Sequence, residues 1–292
     1  MVDPYTKADF FISVHEDEVE LEEGTLSFFN LPADLALKVG KFRANFGKFN
    51  RTHPPETPFA DRPVAEENYF GAEGLSGTGA SLSWQIPNPM FFLNLDAEAF
   101  TTPDTEEAPT FGKARKKDLT YVGRLSSFFD LTEAINLTAG GSYANGAAGQ
   151  DLDAVTGSSS TLRSELYGLD VTFRWKNPRR AIYKSAIWQT EVFVNKRDLT
   201  STAHTNSLGY FSYVEYQFLR RWKTGVRYDY SELPTNGNVQ QKGGLLYFTF
   251  TPSEFSLISL QGRHVSLDNG TEENMGFLKM TYNIGPHGTH PF

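Results

Sequence analysis

The stretch LYGLDVTFRW, residues 166–175, decides the fold of this chain. Every second side chain is large and apolar, and those between them are glycine, polar or charged, which is the periodicity of a β-strand. Successive side chains of a strand point to opposite faces. The apolar face carries Tyr167, Leu169, Val171, Phe173 and Trp175, and the other face carries Gly168, Asp170, Thr172 and Arg174. A strand of this kind separates an apolar environment from a polar one.

The same period of two recurs along the whole chain, and no helical or coiled-coil repeat competes with it. It is clearest in residues 188–194, 244–250 and 278–284. Aromatic residues are also frequent, as expected for pleated surfaces. The fourteen candidate strands cover residues 5–14, 18–29, 35–46, 78–86, 91–101, 118–129, 131–144, 162–175, 183–196, 207–219, 221–232, 241–251, 254–265 and 272–284.

The links between the candidate strands alternate between short and long. The short links lie at 30–34, 87–90, 130, 176–180, 220 and 251–253, and the long ones at 47–77, 102–117, 145–161, 197–206 and 233–240. Tight turns at one end and long polar loops at the other are typical of a transmembrane β-barrel, whose turns are periplasmic. We therefore predict an all-β fold, a transmembrane antiparallel up-and-down β-barrel of about 14 strands, forming a single domain over residues 1–292.

The composition excludes several other classes of protein. The chain has 292 residues, a net charge of -8, a pI near 5.3, a mean hydropathy of -0.41 and no cysteine. Without cysteine there is no disulfide or thiolate metal site, and no apolar run approaches the length of a spanning helix. An acidic chain is also a poor partner for nucleic acid. Residues 1–7 lack the pattern of a secretory signal, so we expect a signal to have been removed if the protein reaches the bacterial outer membrane.

The polar faces of the strands carry charges of both signs. Isolated charges in the core of a soluble sandwich would be costly, whereas a water-filled channel accommodates them. Aromatic residues near the strand ends share the apolar faces, where lipid interfaces favour them. The lipid-side aromatics include Trp84, Trp175, Trp188, Trp222, Tyr167 and Tyr228. The predicted pore-lining residues are Asp96, Glu98, Arg124, Asp170, Arg174, Glu191, Glu215, Lys223, Arg227, Asp229, Arg263 and Lys279.

The link at 47–77 is the longest, and loops of this length in a compact domain are usually functional or disordered. Its prolines, at 54, 55, 58 and 63, stiffen it, which favours an ordered loop that folds into the lumen and narrows the pore. An extracellular cap held by its own packing is an equal alternative. The predicted constriction residues are Arg51, His53, Glu56, Asp61 and Arg62.

No motif points to a metal, a cofactor or catalysis. His53, Glu56 and Asp61 are residue types that suit zinc, but their spacing matches no metal motif, so we interpret His53 as a solvated loop histidine. The acidic run at 16–23 is interpreted as a solvated strand end, because it lacks the glycine and spacing of a calcium loop. Nucleophile elbows, phosphate loops and dinucleotide fingerprints are absent from the sequence. The sequence therefore predicts a protein that is not an enzyme.

Two adjoining stretches carry a resemblance to known proteins. Residues 37–50, LKVGKFRANFGKFN, resemble the strand-loop segment of Gram-negative outer-membrane porins related to the phosphate-selective group. Residues 51–59, RTHPPETPF, are similar to uncharacterised Gram-negative outer-membrane proteins, some of them labelled as zinc-regulated receptors. The resemblance implies additional N-terminal sequence, and hence 16 strands if an N-terminal hairpin is missing. Phosphate selectivity in that group comes from a lysine and arginine ladder, whereas here carboxylates share the polar faces.

These observations predict an outer-membrane porin for passive diffusion of small polar solutes or ions. Size would be limited by the loop at 47–77, and ion preference by the charges lining the pore. The acidic balance of the chain favours a mild preference for cations. The alternative is a structural barrel, plugged by a loop or partner, that acts as a sleeve or anchor for partner proteins in an envelope complex. Outer-membrane lipid surrounds the barrel in either case.

Overall fold

The structure is a computed structural model that describes residues 3–14, 19–102, 109–113, 115, 117–152 and 159–284. Two short 3₁₀ helices lie at Pro32–Asp34 and Pro54–Glu56, and one α-helix, α1, spans Val64–Phe70. Among the described residues, no helix has the length and apolar character needed to cross a membrane. The strands are β1 Thr6–Val14, β2 Val19–Leu31, β3 Leu35–Arg43, β4 Ser76–Gln85, β5 Phe92–Thr101, β6 Leu119–Thr132, β7 Ile135–Leu152, β8 Ser159–Lys176, β9 Ser185–Asp198, β10 His204–Leu219, β11 Trp222–Leu233, β12 Asn236–Ser253, β13 Ser256–Leu267 and β14 Glu272–Tyr282.

All the described strands belong to one 14-stranded sheet in which each strand pairs with the next along the chain. Every pairing is antiparallel, as an up-and-down order requires. In β8 and β9, Leu169 lies opposite Val192, and Asp170 lies opposite Glu191. Because opposed residues point to the same face, each ladder keeps apolar side chains together on one face and polar ones on the other. The ladders of the described residues do not join β14 to β1.

Several strand boundaries differ from the predicted ones, most of all around the links predicted at 47–77, 145–161 and 233–240, the last of which is only the short turn between Leu233 and Asn236. The link predicted at 145–161 is strand up to Leu152, because β7 continues to pair with β8 through its small residues and absorbs a bulge between Ala147 and Gly149. Backbone ladders need no large side chains, so an alternation of large apolar residues does not mark this stretch. The third strand ends at Arg43, so the long link spans residues 44–75 rather than 47–77. We call residues 44–75 the inner loop.

The contacts of the inner loop show that the sheet is curved. Its residues contact side chains of the two strands at one end of the sheet, β1 and β2, and also β5 and every strand from β7 to β14. A single loop can reach strands at both ends of a sheet on the same face only if the sheet curls around it. We call this face the inner face. The loop therefore lies inside the curled sheet, as the prolines favoured, and does not cap it.

The outer face is an apolar belt. Leu169 is 67% exposed, and Leu260 and Leu278 on distant strands are 67% and 62% exposed. Some exposed tyrosines, among them Tyr143 and Tyr167, lie farther from the short turns. Exposed tryptophans lie nearer the short turns, at Trp84, Trp188 and Trp222. An apolar band bounded by aromatic rings at both ends is the surface that a transmembrane barrel presents to lipid.

Candidate functional site

The inner loop is fixed to the centre of the sheet by the carboxylate of Glu191. This side chain is fully buried and accepts hydrogen bonds from the backbone N–H groups of Lys48 at 3.2 Å and Phe49 at 2.8 Å. Gly47 has a φ of +62°, and a Cβ there would come within 2.3 Å of the Glu191 carboxylate. Its own N–H donates to Ser142 on β7. The sequence FGKF therefore places a left-handed glycine where the chain turns onto the sheet.

Two carboxylates of β5 fix the start of the inner loop. Glu98 accepts a 2.8 Å hydrogen bond from the backbone N–H of Asn45, and the Asn45 amide donates to Asp96. Ser81 on β4 donates to the other oxygen of Glu98 at 2.9 Å. Both carboxylates are buried. These acids therefore hold the backbone of the loop as well as lying on the inner face.

Strands β13 and β14 hold the middle of the inner loop. The Lys279 ammonium donates to the carbonyl oxygens of Pro54, Thr57 and Phe59 at 2.7, 2.6 and 2.9 Å. Gln261 accepts from the backbone N–H of Ala60 at 2.9 Å. Prolines at 54, 55 and 58 donate no N–H, so this segment presents a row of carbonyls, and a lysine satisfies three of them.

The opposite edge of the sheet contacts the same segment through His53. Its ring stacks on Phe11 of β1 with centroids 4.2 Å apart, and its two nitrogens lie 3.3 and 3.5 Å from the carboxylates of Glu22 and Glu23. A β-bulge pairs Phe11 with Glu23 and leaves Glu22 as the extra residue, so consecutive acids reach the inner loop. Arg43 bonds both of them. The interpretations of His53 as a solvated histidine, and of this acidic run as a solvated strand end, are therefore wrong for these residues. Residues 16–18 of the run lie outside the described residues.

Ion pairs surround helix α1. Asp61 accepts from Arg227 at 3.2 Å and from Arg263 at 2.8 Å. Arg62 pairs with Glu66 one helical turn later at 3.2 Å. Glu66 is fully buried, and burial raises its pKa to about 7, although Arg62 opposes the shift. A buried carboxyl with a pKa near neutrality changes its charge in the physiological range.

Lys48 is the basic residue of the loop that reaches the inner face near the short turns. Its ammonium donates to Thr172 on β8 at 2.8 Å, and burial lowers its pKa to about 8, with Arg174 adding to the shift. Next to it, Arg124 and Asp170 form a bidentate pair at 2.6 and 3.0 Å. In this part of the inner face, Arg124 is paired with a carboxylate, whereas Lys48 donates to a neutral hydroxyl.

Aromatic rings fill the space between the inner loop and the strands from β9 to β12. The loop contributes rings at Phe46, Phe49, Phe59, Tyr69 and Phe70, which meet Phe193, Phe211, Tyr213 and Tyr247 of the sheet. Sequence reasoning missed this cluster. Its signals in the strands were aromatic rings on the polar faces, such as Phe193 in β9 and Tyr247 in β12. The phenylalanines grouped in the loop sequence were the other signal, because they supply the rings that pack against those of the strands.

A cavity remains on the other side of the inner loop, against β13 and β14. It has a volume of about 330 Å³. Charged groups of both signs and apolar side chains line it. Its lining includes Asp61, Arg62, Glu67, Arg263, Phe49, Met275 and Phe277. The inner loop thus packs tightly on one side and leaves space on the other.

The predicted pore-lining residues all lie in strands of this sheet, and their exposure divides them. The buried ones are Asp96, Glu98, Arg124, Asp170, Glu191, Glu215, Arg227 and Asp229. The half-buried ones are Arg174, Lys223, Arg263 and Lys279. Of the predicted constriction residues, His53, Asp61 and Arg62 contact the sheet or α1, whereas Arg51 and Glu56 are exposed.

No protein-family model matches the chain. A sequence relative does: an uncharacterized protein of Aquifex aeolicus (strain VF5) is 30% identical over 326 aligned residues, which cover 100% of this chain and 67% of the relative. At this identity and coverage the two proteins share a family.

Solved structures of outer-membrane barrels superpose on the chain. Pseudomonas putida OprB matches with a TM-score of 0.57 at 10% identity, over 91% of this chain and 74% of its own. An anion-selective porin from Comamonas acidovorans matches with a TM-score of 0.58 at 11% identity, over 94% and 80%. A loop-deletion mutant of Vibrio cholerae OmpT, an outer membrane protein, matches with a TM-score of 0.58 at 11% identity, over 97% and 87%.

These matches confirm the predicted fold class and the resemblance to outer-membrane porins. They also support the predicted location in the bacterial outer membrane. The chain therefore belongs to the family of the uncharacterized Aquifex aeolicus protein and has the fold of outer-membrane β-barrel porins.

Proposed function

We propose that this protein is an outer-membrane channel through which small polar solutes diffuse passively. The observation that carries the proposal is the cavity of about 330 Å³ between the inner loop and strands β13 and β14, lined by charges of both signs. The apolar outer belt suits a lipid bilayer, and a polar space inside it suits water and solutes. The solute would pass beside the inner loop, on the side where the aromatic cluster does not fill the sheet.

The dimensions of this passage make the channel selective by size. The inner loop is held by carboxylates of β5 and β9 and by Lys279 of β14, so it is a fixed wall. A fixed wall beside a small polar cavity restricts passage to small solutes, and the facing charges govern which ions enter. The predicted pore-lining residues that stay half-buried would have the greatest influence on ion preference.

Single-channel recording in a planar bilayer under a salt gradient tests this function. We expect stable open steps from the purified, folded protein, with a reversal potential that reports the ion preference. Met275→Trp, inside the cavity, should lower the conductance about twofold, since pore width limits the current. The matched control is Leu278→Trp on the outer belt, where the side chain is 62% exposed, and the current should stay unchanged.

A structural barrel is the second candidate, and the aromatic cluster favours it. Rings from the inner loop and from strands β9, β10 and β12 pack between the loop and the sheet, and most of them are fully buried. If the cavity does not continue through the molecule, the loop is a plug, and the barrel serves as a sleeve or anchor for envelope proteins. Absence of open steps from correctly folded protein would support this role and refute the channel.

A further inference from the structure

We infer that the cavity between the inner loop and strands β13 and β14 binds a small zwitterion of the amino-acid type. This inference rests on the proposed channel function and names the class of solute that the passage favours. The first observation is the balance of charge on the cavity wall: Asp61 and Glu67 are acidic, and Arg62 and Arg263 are basic. Because these four charges sum to zero, the wall favours neither a simple anion nor a simple cation.

The hydrogen-bonding capacity of the same side chains is incompletely used. Oδ1 of Asp61, Nε of Arg62 and Nε of Arg263 are buried and have no hydrogen-bond partner within the described part of the chain. Buried polar groups are normally paired, so one acceptor and two donors directly behind a cavity wall are a distinctive feature. Rotation of these side chains towards a solute would let it accept from the arginines and donate to the aspartate.

Glu67 supplies the second acceptor. It lies on the exposed side of α1, whereas Glu66 beside it is buried and paired with Arg62. A carboxylate at the rim and guanidinium groups on the wall suit an ammonium group and a carboxylate carried by one molecule, since guanidinium forms paired hydrogen bonds with carboxylates.

Much of the remaining wall is apolar. Phe49, Met275 and Phe277 line it, and they would contact an aliphatic side chain of the solute. A cavity of about 330 Å³ lies near the lower end of the volumes of small-molecule sites, which suits a single amino acid. Specificity would then come from the simultaneous pairing of two opposite charges, which a solute with one charge cannot achieve.

Block of the ion current by three solutes of similar shape tests the inference. L-leucine has both charges, L-leucinamide only the cation, and 4-methylpentanoate only the anion. With the wild-type channel open in a planar bilayer, we expect leucine to reduce the current at about tenfold lower concentration than either of the others. Mannitol at equal concentration serves as a neutral polyol, and it should reduce the current no more than the single-charge solutes do.

Two variants locate the effect. Glu67→Gln should weaken the block by leucine several-fold and leave the block by 4-methylpentanoate unchanged, and Arg263→Gln should weaken the block by leucine as well. The matched control is Glu73→Gln, an exposed carboxylate of the same loop outside the cavity lining.

Equal block by all three solutes, stronger block by mannitol, or a Glu67→Gln channel that leucine blocks like the wild type would overturn the inference and leave the channel intact. A folded protein that shows no open steps would instead refute the proposed function together with the inference.

Discussion

Val171 and Thr172 are neighbours in β8 whose side chains have opposite surroundings. Val171 lies on the outer face between Tyr167 and Trp175, whereas Thr172 is 1% exposed and accepts a hydrogen bond from Lys48. We expect Val171→Arg to lower the free energy of unfolding by about 2–4 kcal/mol, the cost of a cation in the middle of the lipid-facing band. Denaturant titration of the protein folded into lipid vesicles measures it.

Thr172→Asp is the control for that experiment. A carboxylate at this position meets the Lys48 ammonium, so the loss of stability should be clearly smaller than for Val171→Arg. Equal losses for the two variants would contradict the assignment of the faces of β8.

The titration of Glu66 gives a second prediction at this scale. Its carboxyl has a pKa of about 7 in the folded protein and an ordinary value of 4.5. A raised carboxyl pKa means that the folded state binds the proton more tightly, so its contribution favours folding below about pH 4.5 and is lost as the pH rises towards about 7. Glu66→Gln mimics the protonated form. We expect this variant to gain stability relative to the wild type between about pH 4 and about pH 8, measured by denaturant titration at both values.

Glu67→Gln controls for the removal of one helix carboxylate, because Glu67 is exposed. Its difference from the wild type should change little over the same range. A Glu66→Gln variant that keeps a constant difference from the wild type would show that Glu66 ionises normally in the folded protein.

At the scale of elements, the hydrogen bonds that attach the inner loop to β9 all go to one carboxylate. Glu191 accepts the N–H groups of Lys48 and Phe49 in a buried position, and Glu191→Ala leaves both donors unpaired. We expect a loss of stability of about 1–3 kcal/mol, the usual cost of unsatisfied buried groups, together with a larger and noisier single-channel current. Glu191→Gln keeps an acceptor and should lie between the alanine variant and the wild type. An unchanged current in Glu191→Ala would show that the loop does not limit the passage.

The elements also show which features sequence reasoning can recover. The alternation in β8 and its neighbours predicts strands, their order and their apolar faces, because every second residue of a half-buried strand faces the apolar environment. The continuation of β7 through Gly146 and Ala147 escaped prediction because its backbone pairs without large side chains. The contact of His53 with Glu22 and Glu23 also escaped, since a bulge in β2 and the path of a 32-residue loop, 44–75, decide it together.

At the scale of the whole molecule, the inner loop packs differently against two parts of the sheet. On the side of β9 to β12, its aromatic rings pack against the sheet, and Phe211 is fully buried beneath Phe49. On the side of β13 and β14, the cavity remains. The alternation alone predicts that charged residues lie on the inner face. It does not predict this asymmetry, which depends on which aromatic rings of the inner face pack against the rings of the loop.

Cysteine substitution tests where the passage runs, and the chain suits the method because its sequence contains no cysteine. Met275→Cys and Phe277→Cys place a thiol in the cavity lining, whereas Phe211→Cys places one in the aromatic cluster. We expect a charged, water-soluble methanethiosulfonate reagent to modify the two cavity thiols and lower the single-channel current about twofold, because the added group narrows the passage. The thiol at 211 is sealed from water and should stay unmodified, with the current unchanged. Modification at 211 with block, and none at 275 or 277, would place the passage on the opposite side of the inner loop and reverse the assignment of its packed and open sides.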